Sequence, residues 1–160
     1  MKNVVIAALM ILVLGCGNSS EEAPAAQTKA QDFTLQNMND ETVSLSQYRG
    51  KTVLLVFWAT WCPHCKAEIP RLKEIHKSYK DKDFSVLALS VDKNVEKLKE
   101  FVSENGIFYD VLFDKGAETA RSYGAVGIPA HYVVDSEGNG YFFGPDIDSA
   151  MEKADALLNE

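Results

Sequence analysis

Two uninterrupted apolar runs stand out along the chain, residues 4–14 at its start and Val53-Leu54-Leu55-Val56-Phe57-Trp58 nearer its middle. The second has the length of a strand and predicts one over Thr52–Trp58 that is buried on both faces. Upstream, Phe33 and Leu35 and then Val43 and Leu45 alternate with polar residues across Asn37-Met38-Asn39-Asp40, the pattern of a β-hairpin. Downstream the period changes. Ile69, Leu72, Ile75, His76 and Tyr79 recur at helical spacing. Pro63 suits the first turn of that helix, because its missing N–H would have no helical partner there, whereas Pro70 predicts a kink. A second buried strand is predicted over residues 84–91. Asn94 then caps a helix carrying Val95, Leu98, Phe101 and Val102. A third strand at 109–113, a short helix at 117–123 and a Gly/Pro turn at 124–129 lead into a strand over 132–134. Gly138-Asn139-Gly140 reads as a hairpin turn into Tyr141-Phe142-Phe143, and its shortness predicts a trimmed last strand. The final helix starts near Asp146, with Ile147, Met151, Ala154 and Leu158 on one face. Strands alternating with helices and ending in a hairpin predict an α/β domain with a central mixed sheet flanked by helices and an N-terminal β-hairpin extension.

The first apolar run is not read as part of that domain. It is far shorter than the roughly 20 residues of a spanning helix. With Lys2 ahead of it, it matches the apolar region of a secretory signal peptide. Val13-Leu14-Gly15-Cys16 follows and resembles a bacterial lipobox, which implies a lipidated Cys16 at the new N-terminus and a cell-envelope location. Residues 17–31 hold no large apolar residue and no helical stripe, and read as a tether whose reach is on the order of 20 Å. The expected organisation is residues 1–15 as signal peptide, 16–31 as lipidated cysteine and tether, and 32–160 as the domain. The chain's composition, 46% hydrophobic and 24% charged, suffices for one core. A net charge of -7 without a Lys/Arg cluster gives nucleic acid nothing to bind.

The chain has three cysteines, so a lipidated Cys16 leaves one pair, Cys62 and Cys65 in Trp61-Cys62-Pro63-His64-Cys65. Export implies an oxidising compartment, where such a pair sits as a disulfide by default. Closing so small a loop constrains little of the unfolded chain, which argues against a purely structural bridge. A dithiol catalyst needs one nucleophilic thiol and a second that resolves the mixed disulfide. At a helix N-terminus, unpaired N–H groups and the dipole favour the Cys62 thiolate, while Cys65 lies one turn inside and is shielded. Zinc would ask for four ligands, usually a second Cys pair or a paired His, which the chain lacks. No metal and no cofactor are expected.

The stretch from Phe57 to Pro70, Phe57-Trp58-Ala59-Thr60-Trp61-Cys62-Pro63-His64-Cys65-Lys66-Ala67-Glu68-Ile69-Pro70, resembles the active site of the thioredoxin-like TlpA/ResA family of exported or membrane-anchored bacterial thiol–disulfide oxidoreductases. The N-terminal hairpin, residues 44–51 and Gly127-Ile128-Pro129 match the same pattern, so the resemblance covers residues 32–160. It implies a thioredoxin-like fold, with Pro129 as a cis-proline facing the disulfide. Trp61, Ile128 and Pro129 would meet the substrate, the Ile128 backbone pairing with an extended segment. The expected partners are exported protein thiols or disulfides and a redox partner protein, many relatives being tied to cytochrome c maturation. The expected assembly is a monomer.

Departures from the pattern carry information. Thioredoxin has a buried acid in the strand before its motif, where this chain has Val56. Glu68 matches an acid of the TlpA/ResA branch one turn past Cys65, where it could exchange a proton with the second thiol. Pro63-His64 matches DsbA, a strong oxidant, and a His there can favour the Cys62 thiolate. The scaffold thus implies a reductant and the dipeptide an oxidant. His76 reads as a surface helix residue. His131, two residues past Pro129, either faces the active site or sits on a strand end. A peroxidase relative would carry Thr or Ser three residues before its cysteine and Pro seven before, whereas Cys62 has Ala59 and Leu55. A copper(I) module built on the two thiolates and a His is the reading from a different class.

Overall fold

The Thr52–Trp58 run forms β4, the strand around which the rest is laid, and all of its 7 residues are buried. The protein is represented by a computed structural model that describes residues 28–159. Before β4 come β1 (Thr28–Lys29), β2 (Thr34–Asn37) and β3 (Thr42–Ser44), and after it α1 (Pro63–Ser78), β5 (Phe84–Ser90) and α2 (Val95–Glu104). The chain continues through β6 (Asp110–Phe113), α3 (Glu118–Ser122), β7 (Ala130–Val134), β8 (Asn139–Gly144) and α4 (Ile147–Leu158). One 8-stranded sheet has the order β1-β8-β7-β4-β5-β6-β2-β3. β4, β5 and β6 are parallel neighbours, while β7 runs antiparallel to β4 and β8 antiparallel to β7. This is the mixed sheet with flanking helices that the sequence predicts.

Alternation along β4 sorts its side chains between two cores. Leu54, Val56 and Trp58 pack with Cys65, Ile69 and Leu72 of α1 and with Ala150 and Met151 of α4. Val53, Leu55 and Phe57 pack on the other face with Phe33, Tyr123 and Tyr132. Tyr123 is the hub there, its ring centroid 5.6 Å from Phe57 and 4.8 Å from Tyr132. Removing each such large side chain from water contributes about 1.5–3 kcal/mol. The motif-bearing loop after β4 therefore leaves a strand that is held from both sides.

The predicted hairpin forms with Leu35 opposite Val43. Asn94 caps α2 by accepting from the Lys97 N–H at 2.9 Å, and Asp146 caps α4 by accepting from the Ser149 N–H at 3.0 Å. Other expectations change. Helix α1 is one unbroken helix through the exposed Pro70, so the hydrogen bond that proline removes falls on the solvent side. The last strand is not trimmed, because β8 spans 6 residues and is paired on both edges, with β7 and with β1. Order also begins ahead of Asp32. Thr28 and Lys29 pair with Gly140 and Asn139, and Ala30 is buried. A two-residue strand without a large apolar side chain has no periodicity to announce it. The expected signal peptide, Cys16 and most of the expected tether lie outside the described residues. Among the described residues no helix is long and apolar enough to cross a membrane.

β8 owes its close packing to Gly140. A Cβ there would lie 2.1 Å from Tyr132 Cε1. The Tyr132 ring is buried against Tyr123 and its hydroxyl meets Thr28 Oγ1 at 3.1 Å, so it has no free space to move into. Gly140→Ala is expected to cost about 1–3 kcal/mol, the usual range for overpacking. Urea unfolding should show a lower midpoint at unchanged slope; an unaltered midpoint would mean that the ring yields freely.

Candidate active site

Where β4 ends, the chain turns sharply through Ala59-Thr60-Trp61 into α1, and a single carboxylate fixes this turn. Asp92, buried just after β5, accepts from the Thr60 N–H at 2.9 Å, the Thr60 hydroxyl at 2.7 Å and the Ser90 hydroxyl at 2.7 Å. The Val91 N–H donates to the Trp58 carbonyl at 2.9 Å and closes the same junction. Nothing in the sequence flags Asp92, which looks there like an ordinary polar residue at a strand end.

Cys62 is the N-cap of α1, and its Sγ accepts from the Cys65 N–H at 3.2 Å. The two cysteines are joined as a disulfide with Cα atoms 5.3 Å apart. Helix N-termini carry partial positive charge, so the group held at the cap is one whose anionic form is favoured. Burial does not separate the two sulfurs in the way the sequence suggests, since Cys62 is 4% exposed and Cys65 2%. Their surroundings do. Both belong to the core cluster under α1, but Cys65 lies one turn inside the helix, whereas Cys62 caps it with Sγ 3.8 Å from the Ile128 carbonyl.

The Ile128–Pro129 peptide is cis, which turns the Ile128 carbonyl toward Cys62. Beside it runs an apolar groove of about 330 Å³, lined by residues 126–130 together with Phe142 and Pro145. Val126 is fully exposed at its rim and Phe142 is 40% exposed. Trp61 is 64% exposed and lines a separate depression with Val91, Lys93 and Lys97. Cys62, Cys65, Ile128 and Pro129 thus converge, and Trp61 borders them through the chain. His64 is exposed on the first turn of α1.

Glu68 of α1 and His131 of β7, separate in the sequence, meet in the fold. His131 Nε2 lies 3.2 Å from Glu68 Oε2, with His131 fully buried and the Glu68 side chain 19% exposed. The approach is off the ring's N–H direction and is a close contact of charges or dipoles rather than a well-formed hydrogen bond. His131 Nδ1 is 3.0 Å from the Gly144 carbonyl. His131 therefore belongs to the inner side of the site rather than to a free strand end. Tyr109 lies within the field of this group: burial first, and then the Glu68 charge, push its hydroxyl pKa well above the usual value. His76 is half-buried and not a free surface residue, its ring set edge-on against Phe108 at 5.5 Å.

The chain matches the AhpC/TSA family over residues 26–139. It is 32% identical over 120 residues to thiol-disulfide oxidoreductase ResA of Bacillus cereus, an alignment that covers 75% of this chain and 69% of that relative. A crystal structure provisionally assigned as thiol:disulfide interchange protein DsbE of Chlorobium tepidum superposes with a TM-score of 0.77 at 28% identity, covering 85% of this chain and 99% of that one. The thioredoxin domain of a Bacteroides vulgatus thiol-disulfide oxidoreductase gives 0.72 at 26% identity, covering 82% and 96%. With a cysteine pair opening a helix on this sheet, the family match over residues 26–139 and the likeness to these relatives place the chain in the AhpC/TSA family as a thioredoxin-like thiol–disulfide oxidoreductase of the ResA type.

Proposed function

We propose that the protein is a lipid-anchored reductant of exported protein disulfides, with Cys62 as the attacking thiol and Cys65 as the resolving one. The observation that carries this reading is the Cys62 sulfur at the α1 N-terminus, turned toward the Ile128 carbonyl where an extended substrate segment could lie. The resemblance of residues 57–70 to the TlpA/ResA active-site stretch supports the reducing direction. The lipobox-like Val13-Leu14-Gly15-Cys16 supports an anchor that holds the domain on the extracytoplasmic side of a bacterial membrane. Its partners would be protein thiols and disulfides together with a protein electron donor, and cytochrome c maturation is the pathway that the family resemblance suggests. The copper reading is not favoured: among the described residues no three His, Cys, Asp or Glu side chains gather into a ligand set.

The reduction potential of the Cys62–Cys65 pair tests the direction. Equilibration with a glutathione or dithiothreitol buffer should give a value near about -270 mV for a thioredoxin-like reductant, against about -120 mV for a DsbA-like oxidant. His64 is the residue to vary. A ring that favours the Cys62 thiolate stabilises the reduced state more than the oxidised one, so the potential rises. His64→Ala is therefore expected to make the potential more negative, with about 30 mV corresponding to about 1.4 kcal/mol for this two-electron couple. No shift would mean that the exposed His64 ring stays in solvent.

A further inference from the structure

The two concave surfaces that adjoin the cysteine motif differ in chemistry. The groove along Pro129 is lined by apolar residues throughout and offers nothing to select a charge. The depression that Trp61 lines is different, because Lys93, Asn94 and Lys97 share it with Thr60, Val91 and Asp92. The chain as a whole is acidic, with 23 Asp and Glu against 16 Lys and Arg. In this depression the balance is reversed. Asp92, its one carboxylate, is 7% exposed, and its oxygens are taken by the Thr60 N–H and by the Thr60 and Ser90 hydroxyls. Asn94 Oδ1 is taken by the Lys97 N–H at 2.9 Å. The donors left open to a visitor are the ammonium groups of the exposed Lys93 and Lys97, the Asn94 NH2 and the Trp61 indole N–H, and no free carboxylate lines the depression to oppose them. Among the described residues no acid lies within ion-pair distance of Lys93 or Lys97, although Glu96 and Glu100 are on the same helix. Lys99, by contrast, is held by Asp40 at 2.7 Å.

Two of these features run against the stability of the fold. Lys97 stands in the first turn of α2, where the partial positive charge of the helix N-terminus opposes a cation. Trp61, 64% exposed, leaves most of a large apolar ring in water, and such rings are enriched where a partner covers them. Local conflicts of this kind, with no compensation inside the chain, mark functional surfaces.

We propose that the Trp61–Lys93–Lys97 depression selects substrates by charge, taking an Asp or Glu side chain that lies beside the reacting cysteine in an extended segment of an exported protein. The inference rests on the reading of Cys62 as the attacking thiol. Trp61 directly precedes Cys62, so the depression begins about 3.8 Å along the chain from the reacting residue. Successive residues of an extended segment are about 3.3 Å apart, which puts an acid one or two residues from the substrate cysteine against this wall while the cysteine meets Cys62 Sγ. The indole gives a flat face to the methylenes of that acid, and the ammonium groups meet its carboxylate. In an acidic protein this local reversal also steers. It draws a negative segment toward the cysteine pair and leaves a basic one unmatched there.

Three peptides test the proposal. They share one sequence with a single cysteine, blocked as a mixed disulfide with 2-mercaptoethanol, and differ only in the residues flanking it, which are Glu, Gln or Lys. The reduced full chain attacks the peptide sulfur through Cys62 and expels 2-mercaptoethanol, after which Cys65 closes the protein disulfide and releases the peptide thiol. Rates are taken relative to those of dithiothreitol on the same peptide, which removes the effect of the flanking charge on the disulfide itself. At low salt the Glu peptide is expected to react at least about tenfold faster than the Lys peptide, the lower edge of what charge steering contributes, with the Gln peptide between them. At about 1 M salt, where the screening length is about 3 Å, the spread should close. Lys93→Glu/Lys97→Glu, two substitutions at exposed positions, should invert the order and leave the Gln peptide within about twofold of the parent, as expected for surface charges that have no partner on it. Equal rates for the three peptides in the unaltered protein would overturn the proposal. So would an order that survives in the double variant, or a slowing of all three peptides alike, which would mean that the lysines act on the Cys62 thiolate and not on the substrate. Should the variant fold poorly, the salt series of the unaltered protein decides, and a spread that persists at high salt overturns the proposal. If the unaltered protein reduces none of the peptides, or Cys62→Ser still reduces them, the reading of Cys62 fails and the proposal falls with it.

Discussion

Cys62→Ser is expected to abolish thiol–disulfide exchange, whereas Cys65→Ser should turn the protein into a trap that accumulates mixed disulfides with its substrates. A serine hydroxyl is not ionised near neutral pH, so neither position can attack or leave once replaced. What differs is the step that is lost. Cys62 caps α1, accepts the Cys65 N–H and borders the Ile128 carbonyl, which is the basis for assigning it the attacking role. Cys65 lies one turn inside α1, is 2% exposed and is joined to Cys62. With Cys65 replaced, attack survives and the adduct has no internal thiol to release it. Non-reducing electrophoresis and intact-mass measurement after mixing with an oxidised protein substrate would show adducts in one variant and none in the other. Adducts formed by Cys62→Ser and not by Cys65→Ser would reverse the assignment. Exchange rates depend on the thiolate fraction of the attacking group, so the parent's first step should also accelerate with pH until Cys62 is fully ionised.

Much of this site is legible before any coordinates. A run of six apolar residues ending in Phe57-Trp58, followed by Cys-Pro-His-Cys and a helical stripe, can be little else than a buried strand feeding a helix N-terminus. Each of those signals is local. The parts that escape the sequence are those created by register. His131 meets Glu68 because β7 lies antiparallel to β4 with His131 opposite Val56, and no periodicity in either segment encodes that pairing. Val56 is also the position that matches the buried acid of thioredoxin, and in this chain the ionisable side chains that meet, His131 and Glu68, come from β7 and α1 instead. β1 escapes for another reason: it contributes two backbone pairs to the edge of β8 and scarcely any apolar area. Pro70 interrupts neither the helix nor its burial pattern, since a missing N–H on the exposed side of a packed helix can be tolerated without breaking it.

Asp92→Ala is expected to be the most damaging substitution outside the cysteines, because one carboxylate ties the end of β5 to the turn that delivers Cys62. Removing it strands the Thr60 N–H, the Thr60 hydroxyl and the Ser90 hydroxyl, all of which now donate to it at 2.7–2.9 Å. A hydrogen bond to a charged acceptor contributes about 1.5–3 kcal/mol. The three share one acceptor group and are not additive, so a loss of about 3–5 kcal/mol is expected. Against a typical stability of about 5–15 kcal/mol this leaves the domain marginal. The functional consequence is separate. Thr60 lies two residues before Cys62, and a turn free to shift would move the sulfur relative to the α1 N-terminus and the Ile128 carbonyl. A displacement of about 1 Å can cost on the order of a hundredfold in rate. Asp92→Asn should lie between the parent and Asp92→Ala, since its amide oxygen can still accept from the Thr60 N–H while its NH2 group faces two hydroxyls that can turn to accept. Denaturant unfolding gives the stability term, and exchange rate per folded molecule, taken well below the unfolding midpoint, gives the positional one. Full stability with full activity in Asp92→Ala would show that backbone pairing between Val91 and Trp58 alone holds the turn.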